Sequence, residues 1–236
     1  MKRTNLPHIV IIDFDGVLFD DRRFKKEYES LFRHAGVSHD LYEKTYQQSK
    51  EKGHYDPRAH IRLALGFVSS EPSVQKNLYA RVTKFLEQSS RYVFKDVSDF
   101  LGFLKKEHIR AVLLSTGDPV FQKQKIAKSG IEHLFDDVVI ISEASKLHAI
   151  DAMVRKEKST RFMFIDDKKE VVEEIKKSLP SVHVVHMQRN MITTEASNLD
   201  ICISNFSELI TIIKEWRVVS EHSALRALVN HGTLGT

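Results

Sequence analysis

The stretch Ile9-Val10-Ile11-Ile12-Asp13-Phe14-Asp15-Gly16-Val17-Leu18-Phe19-Asp20 limits what this chain can fold into more than any other. Four β-branched residues run into two carboxylates one residue apart, followed by a glycine. An apolar run of this length, bounded by polar residues, reads as a buried parallel strand. The carboxyl end of such a strand is where open α/β sheets place their chemistry. Side chains alternate along a strand, so Asp13 and Asp15 are expected to project to the same side. Two anionic groups at the dry end of a strand repel each other and need a cation, a shared proton or solvent. Gly16 lets the backbone turn sharply and approach a ligand closely. These aspartates cap a hydrophobic strand instead of joining two hairpin strands, which separates them from an ordinary Asp-Gly turn.

After Asp20 the pattern turns helical. Phe24, Tyr28, Leu31 and Phe32 share one face of a helix that ends near Gly36. A second, more polar helix is expected from Ser38 to Lys52, closed by Gly53. Two more follow over Arg58 to Leu65 and Glu71 to Gln88, the last with Leu78, Val82, Phe85 and Leu86 as its apolar face. No strand-like run interrupts these residues, so they form an all-helical module inserted after the first strand. Helix and strand then alternate. Val97 to Glu107 is a helix, Ile109 to Leu114 a strand, and Pro119 opens a helix reaching Ser129-Gly130. Val138 to Ile141, Phe162 to Ile165, Val182 to Val185 and Ile201 to Ile203 are further strands. Helices over Leu147 to Lys156, up to Leu179, and from Phe206 to Trp216 separate or follow them, and Glu221 to Val229 adds a helical tail. Strands separated by helices imply βαβ crossovers. The expected fold is α/β, a Rossmann-like doubly wound parallel sheet with an inserted all-helical cap. Its divisions are a catalytic core over 1–20 and 93–217, a cap over 21–92 and a C-terminal tail over 218–236.

Composition narrows the function. With 236 residues, the chain has room for a core domain and a smaller insertion. No run approaches the eighteen or more apolar residues of a membrane span, so no membrane partner is expected. The basic segment from Met1 to His8 leads straight into the motif strand; cleaving it as a signal peptide would destroy the motif, and that reading is rejected. Cys202 is the only cysteine, which excludes an intrachain disulfide and a cysteine zinc cage, and fits the reducing cytoplasm expected for this protein. The net charge of +4 is spread through helical segments. That is solvated surface and not a nucleic-acid footprint, and no nucleic-acid motif accompanies it. The oligomeric state is left open.

Three strand ends carry polar groups suited to one another: Asp13 with Asp15, Ser115 with Thr116, and Asp166 with Asp167. In a parallel sheet all of these open on one edge. Lys146, at the start of a helix, precedes the strand that ends in the acidic pair. Ser115, as the first residue past its strand, is favoured over Thr116 as the hydroxyl donor, and Lys146 over Lys125, Lys156 and Lys158, which are expected to be solvated. Asp13-Phe14-Asp15-Gly16-Val17, followed in order by Ser115, Lys146 and Asp166-Asp167, resembles the four-motif signature of the haloacid dehalogenase-like hydrolase superfamily. The inserted helices resemble the cap of its phosphoglycolate phosphatase and phosphomutase branch. The likeness runs from about Ile9 to Trp216.

That resemblance implies a magnesium-dependent phosphatase acting on a small phosphorylated metabolite. Asp13 would be the nucleophile that forms an aspartyl-phosphate. Asp15 would be the general acid and then the base. Magnesium would be held by Asp13, the Asp15 carbonyl, Asp166 and Asp167. Ser115, Thr116 and Gly117 would face the phosphoryl oxygens and Lys146 would neutralise them. The dehalogenases of the superfamily lack an aspartate at the place of Asp15, which argues against carbon–halogen cleavage. A phosphomutase with the same intermediate is the nearest alternative, and a catalytically idle module that binds a phosphorylated ligand is the other. The chain departs from the family pattern at Lys168-Lys169-Glu170-Val171, where many members carry an Asn or Asp, leaving Glu170 a weak metal candidate. It departs again at Leu147, where proline is common. Arg22, Arg23, Lys25 and Lys26 at the start of the cap, and His54, Tyr55 and Arg58 in a loop, are candidates for meeting the rest of the substrate.

Overall fold

Apolar β-branched runs become strands because both of their faces are covered. The computed structural model describes residues 6–50, 55–68, 71–142, 145–157, 160–189, 199 and 201–231, with side chains up to 218 in the last helix. Among them are six strands: β1 (Ile9–Ile12), β2 (Arg110–Thr116), β3 (Asp137–Ile141), β4 (Phe162–Asp166), β5 (Val182–Met187) and β6 (Ile201–Ile203). They lie in the order β3-β2-β1-β4-β5-β6, and every neighbouring pair is parallel. The chain runs outward from β1 to β3, then returns to the other side of β1 for β4. That reversal puts the topological switch at the carboxyl end of β1, where doubly wound sheets bind ligands.

The period of two along β1 sorts its side chains onto two faces. Ile9 and Ile11 join Val112, Leu114, Phe162 and Phe164 beneath α7 (Lys146–Lys156) and α8 (Lys169–Ser178). Val10 and Ile12 join Leu113, Met163 and Ile165 on the opposite face, against α5 (Val97–Lys106), α6 (Pro119–Ser129) and α9 (Phe206–His231). All four β1 side chains are buried, each contributing about 1.5–3 kcal/mol relative to exposure. The structure is thus an α/β Rossmann-like parallel sheet, with a helical cap region inserted between β1 and β2.

The cap consists of α1 (Asp21–Arg33), α2 (His39–Gln48), α3 (Pro57–Gly66), α4 (Pro72–Glu87) and a 3-10 turn at Ser89–Tyr92. The Asp20 carboxylate accepts the Arg23 N–H at 3.0 Å and so fixes where α1 begins. Pro57 and Pro72 open α3 and α4 at positions whose missing N–H costs nothing. Phe14 and Phe19 stack at 4.9 Å, Phe19 meets Phe24 of α1 at 5.3 Å, and Phe24 meets Phe85 of α4 at 5.0 Å. Cap and sheet therefore share one apolar cluster. The two connections between them lie side by side: Asp20 N–H donates to Tyr92 O at 2.7 Å, and Phe94 N–H to Leu18 O at 3.0 Å.

Three local differences from the sequence reading have simple causes. β2 continues through Ser115 and Thr116 because β3 pairs with both of them, so Ser115 lies inside the strand and not just past it. α2 ends at Gln48 and not Lys52; residues 51–54, including the loop candidate His54, lie outside the described residues. α9 runs unbroken from Phe206 to His231, since no glycine or proline stands between Trp216 and His231. The tail expected from 218 is its continuation, and 232–236 lie outside the described residues. No helix among the described residues is long and apolar enough to cross a membrane.

Candidate active site

Asp13 follows directly on β1 and is tied into the sheet by its N–H, which donates to Ile165 O at 3.0 Å. Its carboxylate is nearly buried and meets the Lys146 Nζ at 2.6 Å. Lys146 is the first residue of α7, whose start is fixed by the Ser145 hydroxyl accepting the Leu147 N–H at 3.1 Å. From there its ammonium also reaches Asp166 Oδ2 at 2.6 Å. Asp166, fully buried at the end of β4, takes the Lys168 N–H on its other oxygen at 2.9 Å. Burial alone would lower the Lys146 pKa, but Asp13 and Asp166 outweigh it and hold the ammonium protonated above its ordinary range.

Asp15 faces a different cation. Burial disfavours its charged form, yet the Lys125 ammonium, at 2.7 and 2.8 Å from its two oxygens, and a hydrogen bond from Gln122 at 2.7 Å pull its pKa below the ordinary value. The same Gln122 Nε2 donates to Ser115 Oγ at 2.7 Å. Gln122 and Lys125 are three residues apart on α6, on the same side of the helix, and both are buried. The expectation that Lys125 is solvated is therefore corrected. Its Nζ sits 5.5, 5.2 and 5.5 Å from the ring centroids of Phe14, Phe19 and Phe24, under aromatic cover that the sequence does not display. Lys156 is exposed, and Lys158 lies outside the described residues.

Carboxylate oxygens of Asp13, Asp166 and Asp167 lie within 4.8 Å of one another, a cluster able to hold a divalent cation. Two observations fit such an ion. Asp167 Oδ1 is buried with no hydrogen-bond partner. Burial, and next the Asp166 charge, push Asp13 up to about 8 and Asp167 up to about 6, so the cluster is short of positive charge despite Lys146. The donor set is all oxygen, which suits a hard cation. Gly16, at φ +79°, packs so closely that a Cβ there would lie 2.2 Å from Asp167 Oδ2. A side chain at this position would strain the backbone and displace the carboxylate. Glu170 is exposed in the first turn of α8 and stands outside the cluster.

The raised carboxyl of Asp167 has a stability consequence. Its folded value of about 6 lies above its ordinary 3.8, so the folded state binds more protons between those values and loses stability as pH rises through them. Without metal, Asp167→Asn is expected to melt above the wild type at pH 8, with the gap closing near pH 4. Millimolar divalent cation should reverse the order at pH 8, because the variant lacks a ligand. Thermal melts of both proteins check this; a metal-free variant that melts lower at pH 8 would contradict the electrostatics.

Between core and cap lies a cavity of about 850 Å³. Asp15, Thr116, Gly117, Gln122 and Lys125 line its core side, while Tyr28, Tyr46, Lys25 and Lys26 line it from the cap. Thr116 is exposed to it, whereas Ser115 is buried toward Gln122. Gly117 lines the cavity, but its N–H donates to Ile141 O at 2.9 Å and so is not a donor on offer to a ligand. Of the basic cap residues, Arg23 pairs with Glu27 and Lys25 with Asp21, while Arg22 borders a small pocket beside Asp167. Tyr55 joins the cavity wall and donates its N–H to Asp118 Oδ2 at 3.0 Å, a link from cap to core; Arg58 is exposed. The structure thus gathers Asp13, Lys146, Asp166 and Asp167 in one cluster, and Asp15 and Ser115 in a second, bridged by Gln122. Gln122 escaped the sequence reading and Lys125 was weighed there only as a solvated lysine; their three-residue spacing on the helix after β2 was the one available signal.

A family model for haloacid dehalogenase-like hydrolases matches residues 7–177. Comparison with curated proteins returns no match. Among solved structures, a haloacid dehalogenase-like family hydrolase from Xanthomonas campestris superposes with a TM-score of 0.65 at 16% identity, over 94% of this chain and 97% of that one. A Thermotoga maritima protein, provisionally described as a β-phosphoglucomutase, gives 0.58 at 17% identity over 88% and 99%. The L-2-haloacid dehalogenase of Xanthobacter autotrophicus with chloropropionic acid covalently bound gives 0.55 at 14% over 89% and 99%. At these identities the likeness speaks for the fold alone.

Proposed function

The chain belongs to the haloacid dehalogenase-like hydrolases, and from that footing we propose that it is a phosphatase of small phosphorylated metabolites, working through a phosphorylated Asp13. The observation that carries this reading is the pair of carboxylates in one loop, each with its own buried lysine: Asp13 against Lys146 and Asp15 against Lys125. A haloacid dehalogenase needs one carboxylate nucleophile. A second one, held at the mouth of the substrate cavity, suits a reaction in which a leaving oxygen must gain a proton and a water must lose one.

In the first step an Asp13 oxygen attacks phosphorus, the P–O bond to the organic group breaks, and the departing oxygen takes a proton from Asp15. Lys125 keeps Asp15 ionised at rest, so Asp15 must first take that proton up from solvent in the cavity. In the second, Asp15 takes a proton from water as that water attacks phosphorus, and the bond to Asp13 breaks with its electron pair returning to the carboxylate. Lys146 neutralises the nucleophile and the phosphoryl oxygens, and the Ser115 hydroxyl, accepting from Gln122, keeps its own hydrogen free to donate. Magnesium fits the oxygen donors of Asp13, Asp166, Asp167 and the Asp15 carbonyl, and when bound would shield the carboxylate–phosphate repulsion. The organic part of the substrate would occupy the cavity under the cap, whose mixed lining of tyrosines and lysines suits a small amphipathic body.

The test is phosphate release from a panel of phosphorylated metabolites, with and without magnesium. Magnesium-dependent release of inorganic phosphate is expected. Transfer of phosphate to a second hydroxyl of a sugar, with no free phosphate formed, would instead identify a mutase built on the same intermediate, the activity provisionally ascribed to the Thermotoga maritima relative.

A further inference from the structure

Lys125 and Gln122 exchange no proton and form no bond in the two steps above, yet both are buried on the side of α6 that faces Asp15 and Ser115. Burying a lysine ammonium is costly unless it is paired. Lys125 is paired with Asp15 through both carboxylate oxygens, and the rings of Phe14, Phe19 and Phe24 cover it. Gln122 has one amide nitrogen with two hydrogens and spends them on Asp15 Oδ2 and Ser115 Oγ. A carboxylate can only accept, so the nitrogen and not the carbonyl of Gln122 must face it. Its contact to the serine then uses an acceptor lone pair of the hydroxyl.

We infer that Lys125 and Gln122 are positioning residues that clamp the Asp15 carboxylate over the reacting phosphorus, and that Gln122 couples this clamp to the orientation of the Ser115 hydroxyl. The inference rests on the phosphatase reading and adds residues to it. It bears most on the second step, in which a water oxygen bonds to phosphorus, its proton passes to an Asp15 oxygen, and the Asp13–phosphorus bond breaks to release phosphate. A carboxylate free to swing about its Cα–Cβ bond meets that water in the right geometry only part of the time.

The decisive variant is Lys125→Met, which keeps the length of the side chain and places a thioether among three rings that accept one readily. The substrate is p-nitrophenyl phosphate with magnesium, because its leaving group departs without help from an acid and the first step stays fast. Lys125→Met should give a burst of about one p-nitrophenolate per protein, then a steady state lower by about 10²-fold, the size expected for a displaced general base. Gln122→Leu should give the same burst with a smaller drop, and Lys125→Arg should recover part of the rate. A variant merely damaged in folding would lose burst and steady state together. Wild-type turnover in Lys125→Met, or a slow steady state with no burst, would overturn the inference. If the wild type releases no p-nitrophenolate at all, the phosphatase reading fails on its own, and crystal structures of wild type and Lys125→Met decide the clamp. An Asp15 carboxylate that moves away in the variant supports it; one that keeps its place overturns it.

Discussion

Asp13→Asn should lose phosphate release by a factor on the order of 10⁶, the scale seen when a covalent nucleophile is removed from an enzyme whose groups act as a unit. An amide of the same shape keeps a hydrogen bond from Lys146 but cannot attack phosphorus. The fold should survive and, without metal, gain stability. Burial and the neighbouring Asp166 raise Asp13 to about 8. The folded protein therefore favours a neutral group at this position, and above that pH the wild type carries a charge that its surroundings oppose. Asp13→Asn is thus expected to melt higher than the wild type in metal-free buffer above pH 8, with the difference fading toward pH 4. Unchanged circular dichroism, a raised melting temperature and absent turnover together would separate loss of chemistry from loss of structure. Full turnover would remove Asp13 from the nucleophile's role.

Lys146→Met should be the most destabilising single change at the site. Its ammonium is the partner shared by Asp13 and Asp166, with contacts of 2.6 Å to each, and all three side chains are at most 7% exposed. Above pH 8, where Asp13 is ionised, removing the cation leaves two buried carboxylates facing each other, and breaking a buried ion pair from one side costs about 3–5 kcal/mol. In a chain of this size that corresponds to a fall on the order of 10 °C in melting temperature. The loss should shrink as the pH is lowered and one carboxyl takes up a proton. Millimolar magnesium should restore part of it, by putting a positive charge back among the same oxygens. Lys146→Arg retains the charge and should lose less stability, but its wider guanidinium does not fit between two carboxylates placed for an ammonium. Denaturant titrations at two pH values, each with and without magnesium, measure all of these terms. A Lys146→Met protein as stable as the wild type above pH 8 without metal would mean that the two carboxylates do not depend on this cation.

Much of this site could be read before the structure, and the reasons are local. Ile9 to Ile12, β-branched throughout, and Phe162 to Ile165, with two phenylalanines, are short apolar runs bounded by polar residues, so the positions of Asp13, Asp166 and Asp167 at strand ends followed from pattern alone. A parallel sheet then brings its strand ends to one edge, whatever their separation in sequence. Lys146 was legible because it stands at a helix start before the acidic strand. Lys125 was not. On a helix reading Pro119-Val120-Phe121-Gln122-Lys123-Gln124-Lys125, four consecutive polar residues resemble a solvated face, and only the packing of Phe14, Phe19 and Phe24 shows that one of the lysines is covered. The Gly117 N–H was equally hidden, since its partner on β3 depends on a register that no local pattern encodes.

The most direct measurement is the site of phosphorylation. Protein mixed with magnesium and a hydrolysed substrate, quenched in acid within a turnover and digested, should carry a phosphoryl group on the peptide that contains Asp13, and Asp13→Asn should carry none. Steady phosphate release with no label on that peptide, or with the label on another residue, would contradict an Asp13 intermediate.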